Sequence, residues 1–235
     1  MIRLSGMAVL LASLVAVAAG VASHGLWWQL PDRHNPFAPL VVTDEPNWLT
    51  RYKLDRLSND PALCQAVLLA SGAAATPVPD RDAGGDCGWN NAVQLRRSAA
   101  IELASPVVLS CRTAVSFAMW AHHLVQPAAI EHLGRPVRRV EHVGSYACRN
   151  VNNAVEGRRS RHARAEAIDV VGFVLDDGTR ITVLKDWSRQ DGRARFLRAA
   201  HGGACRWFDG VLGPDYNRLH ADHLHIERGP WGVCR

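Results

Sequence analysis

The sequence predicts an α+β fold in which helices precede an antiparallel sheet and disulfides staple the assembly. Three features predict it: apolar residues at helical spacing in the first half, a β-branched hairpin signature in the second, and six cysteines beyond an uncharged N-terminal segment. Helices followed by a meander argue against a doubly wound sheet, which needs strand and helix to alternate. With 235 residues, 48% of them apolar and 21% charged, the chain is long enough to bury one proper core.

The first thirty residues set the compartment. After Arg3 the segment Met7–Ala22 is uncharged and rich in Ala, Val and Leu, which is the make-up of a secretory signal. Val21-Ala22-Ser23 offers small residues for cleavage. The apolar character continues, however, through Trp27 and Trp28. Counted from Leu4 to Leu30 the stretch reaches the roughly 20 residues that cross a bilayer, with the tryptophans suited to the interfacial belt. Residues 1–30 therefore read as a signal peptide or an N-terminal membrane anchor, and the remainder as periplasmic or otherwise extracytoplasmic.

Residues 31–50 read as a Pro-rich spacer, since Pro31–Pro46 carries four prolines and no periodicity. The folded domain is expected over 51–235. Its first helix spans Asp60–Ser71, with Asn59 or Asp60 as N-cap and Pro61 in the first turn. Thr76–Asn91 turns to Pro, Gly, Asp and Asn and reads as a loop. A long helix follows from Ser110 to about Val125, burying Val115, Met119 and Leu124, and Gln126-Pro127 disturbs or ends it. Arg139–Tyr146 reads as a strand. Ala167–Leu175, the turn Asp176-Asp177-Gly178 and the return Thr179–Leu184 make a hairpin. Gly192–His201 is a short helix, Gly210–His220 a loop, and His223–Glu227 a last short strand.

The cysteines (Cys64, Cys87, Cys111, Cys148, Cys205 and Cys234) form no CxxC pair and no zinc-finger spacing. An even number in an exported chain reads as three disulfides. Cys64 with Cys87 is the simplest local pair. The formal charge of +5 suits an anionic cell-wall polymer or a membrane surface. Scattered arginines speak against nucleic acid as a partner, and the one short cluster, Arg158, Arg159, Arg161 and Arg164, reads as solvated surface.

Two histidine-bearing stretches carry chemistry. In the first, His162 lies in a loop and Asp169 at the start of a strand. The second is the run His220-Ala-Asp222-His223-Leu-His225. On a strand His223 and His225 point to one face, so one can bind a metal while the other stands beside the open coordination position. Two imidazoles and one carboxylate make a three-ligand Zn2+ site that keeps a water. The metal lowers the pKa of that water to about 7 and polarises a carbonyl, the basis of amide hydrolysis. A neighbouring histidine can shuttle a proton or stabilise an oxyanion. Asp222 reads as a loop cap or as a partner of a ligand histidine. His122, His123, His132 and His142 share no spacing with these stretches and read as structural.

Further motifs, Asn35-Pro-Phe-Ala-Pro-Leu40, Gly144-Ser-Tyr-Ala-Cys-Arg149, Val211-Leu-Gly-Pro-Asp-Tyr-Asn217 and Gly232-Val-Cys-Arg235, resemble those of bacterial proteins with an extensin-like C-terminal domain. A wider resemblance is to zinc D-Ala-D-Ala metallopeptidases and penicillin-insensitive murein endopeptidases, whose pattern Ser-x-His-x-x-Gly-x-Ala-x-Asp then His-x-His falls on Ser160, His162, Ala167, Asp169, His223 and His225. That resemblance implies a hedgehog and D-Ala-D-Ala-peptidase-like fold. It also implies His162, Asp169 and His225 as metal ligands, His223 and His220 as catalytic histidines, and Arg149 and Ser160 as substrate contacts. Arg149 would meet a substrate carboxylate through its guanidinium. Ala165 departs from the pattern, which has Gly there. If the position requires positive φ, alanine is penalised and the loop between the ligands differs.

The implied activity is zinc-dependent amide hydrolysis of stem peptides or cross-links of peptidoglycan by a membrane-tethered domain. The alternative is a non-catalytic, metal-containing module of the same fold that binds or scaffolds the cell wall.

Overall fold

The computed structural model describes residues 6–23, 30–230 and 232–235. The chain divides into two compact units, residues 1–39 and 40–235. In the first, helix α1 (Gly6–Ser23) is uncharged throughout, and a single 3-10 turn follows at Asp32–His34. Among the described residues no helix is long and apolar enough to cross a membrane. The 18 residues of α1 reach about 27 Å, a little short of a hydrocarbon core of about 30 Å. Residues 24–29, with the two tryptophans expected at an interface, lie outside the described residues.

The second unit begins earlier than a free spacer over 31–50 allows. Leu40, Val42 and Leu49 are buried, and Val42 presents its carbonyl to His123 Nε2 at 2.7 Å. Helix α2 (Thr50–Arg56) follows, then α3 (Pro61–Ala70). The start of α3 is local chemistry: Asp60 accepts from the Leu63 N–H at 2.9 Å, and Pro61 occupies a position whose N–H would be unpaired anyway.

Among the described residues nine strands form one sheet, eight of them in the order β1 (Ala74–Val78), β4 (Ala92–Ser98), β5 (Ile101–Ser110), β6 (Val137–His142), β7 (Ala167–Leu175), β10 (Leu224–Glu227), β9 (Gly210–Leu212), β11 (Val233–Cys234). The ninth, β8 (Arg180–Thr182), pairs with β7, and β2 (Arg81–Asp82) with β3 (Gly88–Trp89) makes a separate small hairpin. Only β5 with β6 and β9 with β11 run parallel; the other pairs are antiparallel. The fold is thus α+β with a mostly antiparallel sheet.

Several local readings need correction. The Pro/Gly-rich stretch Thr76–Asn91 is not loop alone, for it holds most of β1 and the β2–β3 hairpin. Its prolines and glycines sit at edge strands and turns, where they cost little. The strand expected over Arg139–Tyr146 ends at His142, and the return strand of the second hairpin ends at Thr182, giving way to the short helix α6 (Val183–Asp186). The supposed loop Gly210–His220 begins as β9.

Helix α4 (Cys111–Trp120) does not stop at Pro127. It passes through one π-helical turn, Ala121–Val125, in which Gln126 N–H bonds Ala121 O, and continues as α5 (Gln126–Leu133) to the left-handed Gly134. The wider turn accommodates a proline that lacks an N–H and crowds the preceding turn. Trp120 centres the core, with ring centroids 5.3 Å from Phe117, 6.1 Å from Phe173 and 6.5 Å from Phe208. Its indole N–H donates to Ala200 O of α7 (Gly192–Ala204) at 2.9 Å, so the buried polar atom is satisfied.

The six cysteines form three disulfides: Cys64–Cys111, Cys87–Cys148 and Cys205–Cys234. The local pair Cys64–Cys87 is not formed. Cys64 lies on α3, which packs against α4 and its Cys111, whereas Cys87 lies at the small hairpin, facing the loop after β6.

Candidate metal centre

Strands β7 and β10 lie side by side, and their antiparallel register sets His225 directly opposite Asp169. Side chains on directly opposed residues share a face, so a carboxylate and an imidazole meet. His162 arrives from a 3-10 turn, Arg161–Arg164, and the sequence builds that turn locally. Ser160 caps it by accepting from the His162 N–H at 3.3 Å, and Ala165 closes it in the left-handed conformation (φ +53°, ψ +32°). The loop after β6 runs alongside, with Ala147 N–H donating to His162 O and Ser160 N–H to Arg149 O.

The three expected ligands converge. His162 Nε2 lies 3.1 Å from His225 Nδ1 and 3.2 Å from Asp169 Oδ2, and His225 Nδ1 lies 2.9 Å from Asp169 Oδ1. Donor atoms about 3.3 Å apart are the edges of a tetrahedron with Zn–N bonds of 2.0–2.1 Å, so this donor set fits a small tetrahedral cation. His162 fits by its tautomer as well. Its Nδ1–H donates to Ser145 O at 2.5 Å, which leaves Nε2 as the lone-pair nitrogen facing the other two donors. His162 and His225 are buried and Asp169 is nearly so, which limits competition from water.

The electrostatics agree with a built cluster. Burial pushes the Asp169 carboxyl up, but hydrogen bonds from His162 and His225 outweigh it and hold the group well below the usual carboxylate range. Burial pushes the His225 imidazole down, yet its bonds to Asp169 and Glu227 raise it to about 9. His220 is pushed down to about 4, by burial first and then by the neighbouring His223 and His225.

His223 falls just ahead of β10 rather than on it. Its Nδ1–H donates to Asp222 at 2.8 Å and its Nε2 stands 3.6 Å from Asp169 Oδ1. Asp222 is therefore the partner of His223, not of a ligand histidine. His220 stacks obliquely on His223 with centroids 5.2 Å apart, and its Nδ1–H donates to Asn217 Oδ1 at 2.8 Å. Asp169, His220, His223 and His225 line a cleft of about 340 Å³ together with Ser160 and Arg149. Arg149 is half-buried and forms no ion pair with any described residue.

The arginine cluster lines a wider, open depression that meets this cleft at Arg158 and Ser160. Arg159 bonds Gly85 O and Asn150, Arg161 pairs with Glu166, and Arg164 pairs with Asp86. None of His122, His123, His132 and His142 lines the cleft. His123 instead stacks on Trp207.

Sequence reasoning missed Glu227, Asn217 and Ser145. Glu227 stands two residues after His225, the same spacing that singled out His223, so the period of the strand was a usable signal. Asn217 and the backbone carbonyl of Ser145 carry none, because their roles exist only once distant segments meet.

Residues 62–235 match the family described as Extensin-like protein C-terminus. The chain belongs to this extensin-like family. Every site residue named above lies inside the extensin-like match, and so do all six cysteines. Neither the curated proteins nor the solved structures give a significant match to the chain.

Proposed function

We propose that this extensin-like chain is an exported zinc hydrolase that cuts amide bonds in the stem peptides or cross-links of peptidoglycan. The observation that carries the reading is the convergence of His162, Asp169 and His225 at a cleft also lined by His220, His223 and Arg149. The likeness of the ligand motif to zinc D-Ala-D-Ala metallopeptidases and murein endopeptidases, which share a hedgehog-like fold group, supports it. Three disulfides suit an oxidising, extracytoplasmic setting. The uncharged N-terminal segment supplies the export signal or the membrane tether.

His162, Asp169 and His225 would hold the metal. Zn2+ supplies Lewis acidity, which polarises a carbonyl and makes water a competent nucleophile near neutral pH. The chain's own groups do the rest. His223 gives its Nδ1–H to Asp222, so Nε2 is the basic nitrogen on the side of Asp169 and can take a proton and return it to the leaving amine. Asp222 orients the ring and stabilises the imidazolium so formed. His220, held at Nδ1 by Asn217, stays neutral and keeps Nε2 as an acceptor. Arg149 has a guanidinium free to bind the carboxylate of an anionic stem peptide in bidentate fashion. Ser160 lines the cleft and also caps the ligand turn.

The test is digestion of purified peptidoglycan by the domain, with and without chelator, followed by analysis of the released muropeptides. The wild type should release products that chelator abolishes and zinc restores, and His223→Ala should cut the rate by about 10²–10⁴-fold, as loss of a general acid–base does. If the wild type releases no chelator-sensitive product, the hydrolase reading fails.

A further inference from the structure

We infer that Glu227 is a positioning residue of the metal centre: its carboxylate, admitted by the missing side chain of Gly210, fixes the ring of His225. The inference rests on the reading of His162, Asp169 and His225 as metal ligands and assigns two residues to that site which neither its motif nor its ligand set contains.

The geometry begins with strand periodicity. Glu227 follows His225 by two residues on β10, so both side chains rise from one face. Glu227 Oε2 lies 2.9 Å from His225 Nε2. A carboxylate only accepts there, so the bond keeps a proton on Nε2, and Nδ1, which faces Asp169 and His162, is the nitrogen that gives up its own proton when a metal binds. An imidazole free to turn about its Cβ–Cγ bond would present either nitrogen, or neither, to the cluster. In this chain of 27 arginines and lysines, Glu227 pairs with none of those described; its one ion-pair partner is His225.

The second observation is independent of that bond. Gly210 of β9 sits directly across from Glu227 in the sheet register. A Cβ placed on Gly210 would lie 2.5 Å from Glu227 Cγ, 2.8 Å from Oε1 and 2.9 Å from Cδ. Glu227 thus lies over its cross-strand neighbour, in space that any other residue would fill. Gly210 is not among the positive-φ glycines, so its backbone does not call for glycine. Glycine inside a strand is unfavourable relative to alanine, and room for the Glu227 carboxylate is the reason this structure offers for it.

The test uses the metal-stripped full domain and measures Zn2+ affinity by competition with a chromophoric chelator. Wild type is compared with Glu227→Ala, Glu227→Gln, Gly210→Ala and the Gly210→Ala/Glu227→Ala double variant. Loss of a carboxylate that orients a ligand histidine lowers metal affinity by about 10–100-fold, and that loss is expected for Glu227→Ala. Glu227→Gln should recover part of it, because an amide oxygen still accepts from Nε2–H. Gly210→Ala should weaken binding with Glu227 present and add nothing once Glu227 is gone. Melting of the metal-free variants should stay close to wild type, and long-range ¹⁵N NMR of the zinc-loaded wild type should place the His225 proton on Nε2. Affinity in Glu227→Ala equal to wild type, or a Gly210→Ala loss of equal size in both backgrounds, overturns the inference alone. A wild type that binds no zinc overturns it together with the metal-site reading.

Discussion

Ala165 holds a backbone conformation that L residues avoid, and it does so where the ligand turn must close. Its left-handed φ and ψ bring its N–H to His162 O at 3.1 Å and its carbonyl to Ser110 N–H at 2.8 Å, and the residue is wholly buried. The left-handed region costs a non-glycine residue about 1–2 kcal/mol. The turn closes in this conformation despite the alanine, and the surrounding hydrogen bonds impose it. Replacing Ala165 by glycine removes that cost, but it loses about 0.8 kcal/mol of methyl burial and adds about 0.4–1 kcal/mol of unfolded-chain entropy. Stability of Ala165→Gly should thus stay within about 1 kcal/mol of wild type in urea titration. Ala165→Val should lose more than about 2 kcal/mol, since a β-branched residue is an outlier at positive φ and the site has no spare volume. A valine variant as stable as wild type would contradict the account.

At the scale of elements, the start of α3 is fixed by residues adjacent in sequence. Asp60 accepts one of the orphan N–H groups of the first turn, so Asp60→Ala should destabilise the domain by about 1 kcal/mol. Asp60→Asn should cost only a few tenths, and urea midpoints at constant slope would separate the two. Local signals of this kind make α3, the core of the β7–β8 hairpin and the start of α7 legible in the sequence. The structure adds the cap of α7, where Asp191 accepts from Arg193 and Ala194 N–H. Pro127 was harder to read. Proline weakens a helix locally, but the buried face of α4 and α5 lies against the core over both segments, and one π turn costs less than abandoning that burial. Strands β1, β2 and β3 show the opposite failure. Their pairing is decided by the sheet, so composition alone makes loop of Thr76–Asn91, and β4 and β5 receive no sequence assignment at all.

On the scale of the whole molecule, the disulfides tie the site to the scaffold. Cys148 precedes Arg149, and its bond to Cys87 fastens the loop carrying Ser145 and Arg149 to the β2–β3 hairpin. The bond closes a separation of 61 residues, for which the chain-entropy model gives about 4 kcal/mol. Cys87→Ser/Cys148→Ser should therefore lower stability by about 2–5 kcal/mol, read by urea unfolding under non-reducing conditions. It should also weaken Zn2+ affinity, because Ser145 O sets the tautomer of His162 from the same loop. Unchanged metal affinity in a folded variant would show that the loop holds its place without the bond.

By itself the sequence determined the parts that neighbours along the chain decide. These are the helix caps and periods, the hairpin turn at Asp176-Asp177-Gly178, the even cysteine count, and the residue types able to hold a metal. It could not pair Cys64 with Cys111, set Asp169 opposite His225 or show Glu227 lying over Gly210. The tertiary structure decided those, because each joins segments whose meeting depends on the register of the whole sheet. Asp169 and His225 stand 56 residues apart, and a slip of one residue between β7 and β10 would turn one of them to the other face and dissolve the site. Chain-local chemistry chose the donors, and the sheet gave them a common point.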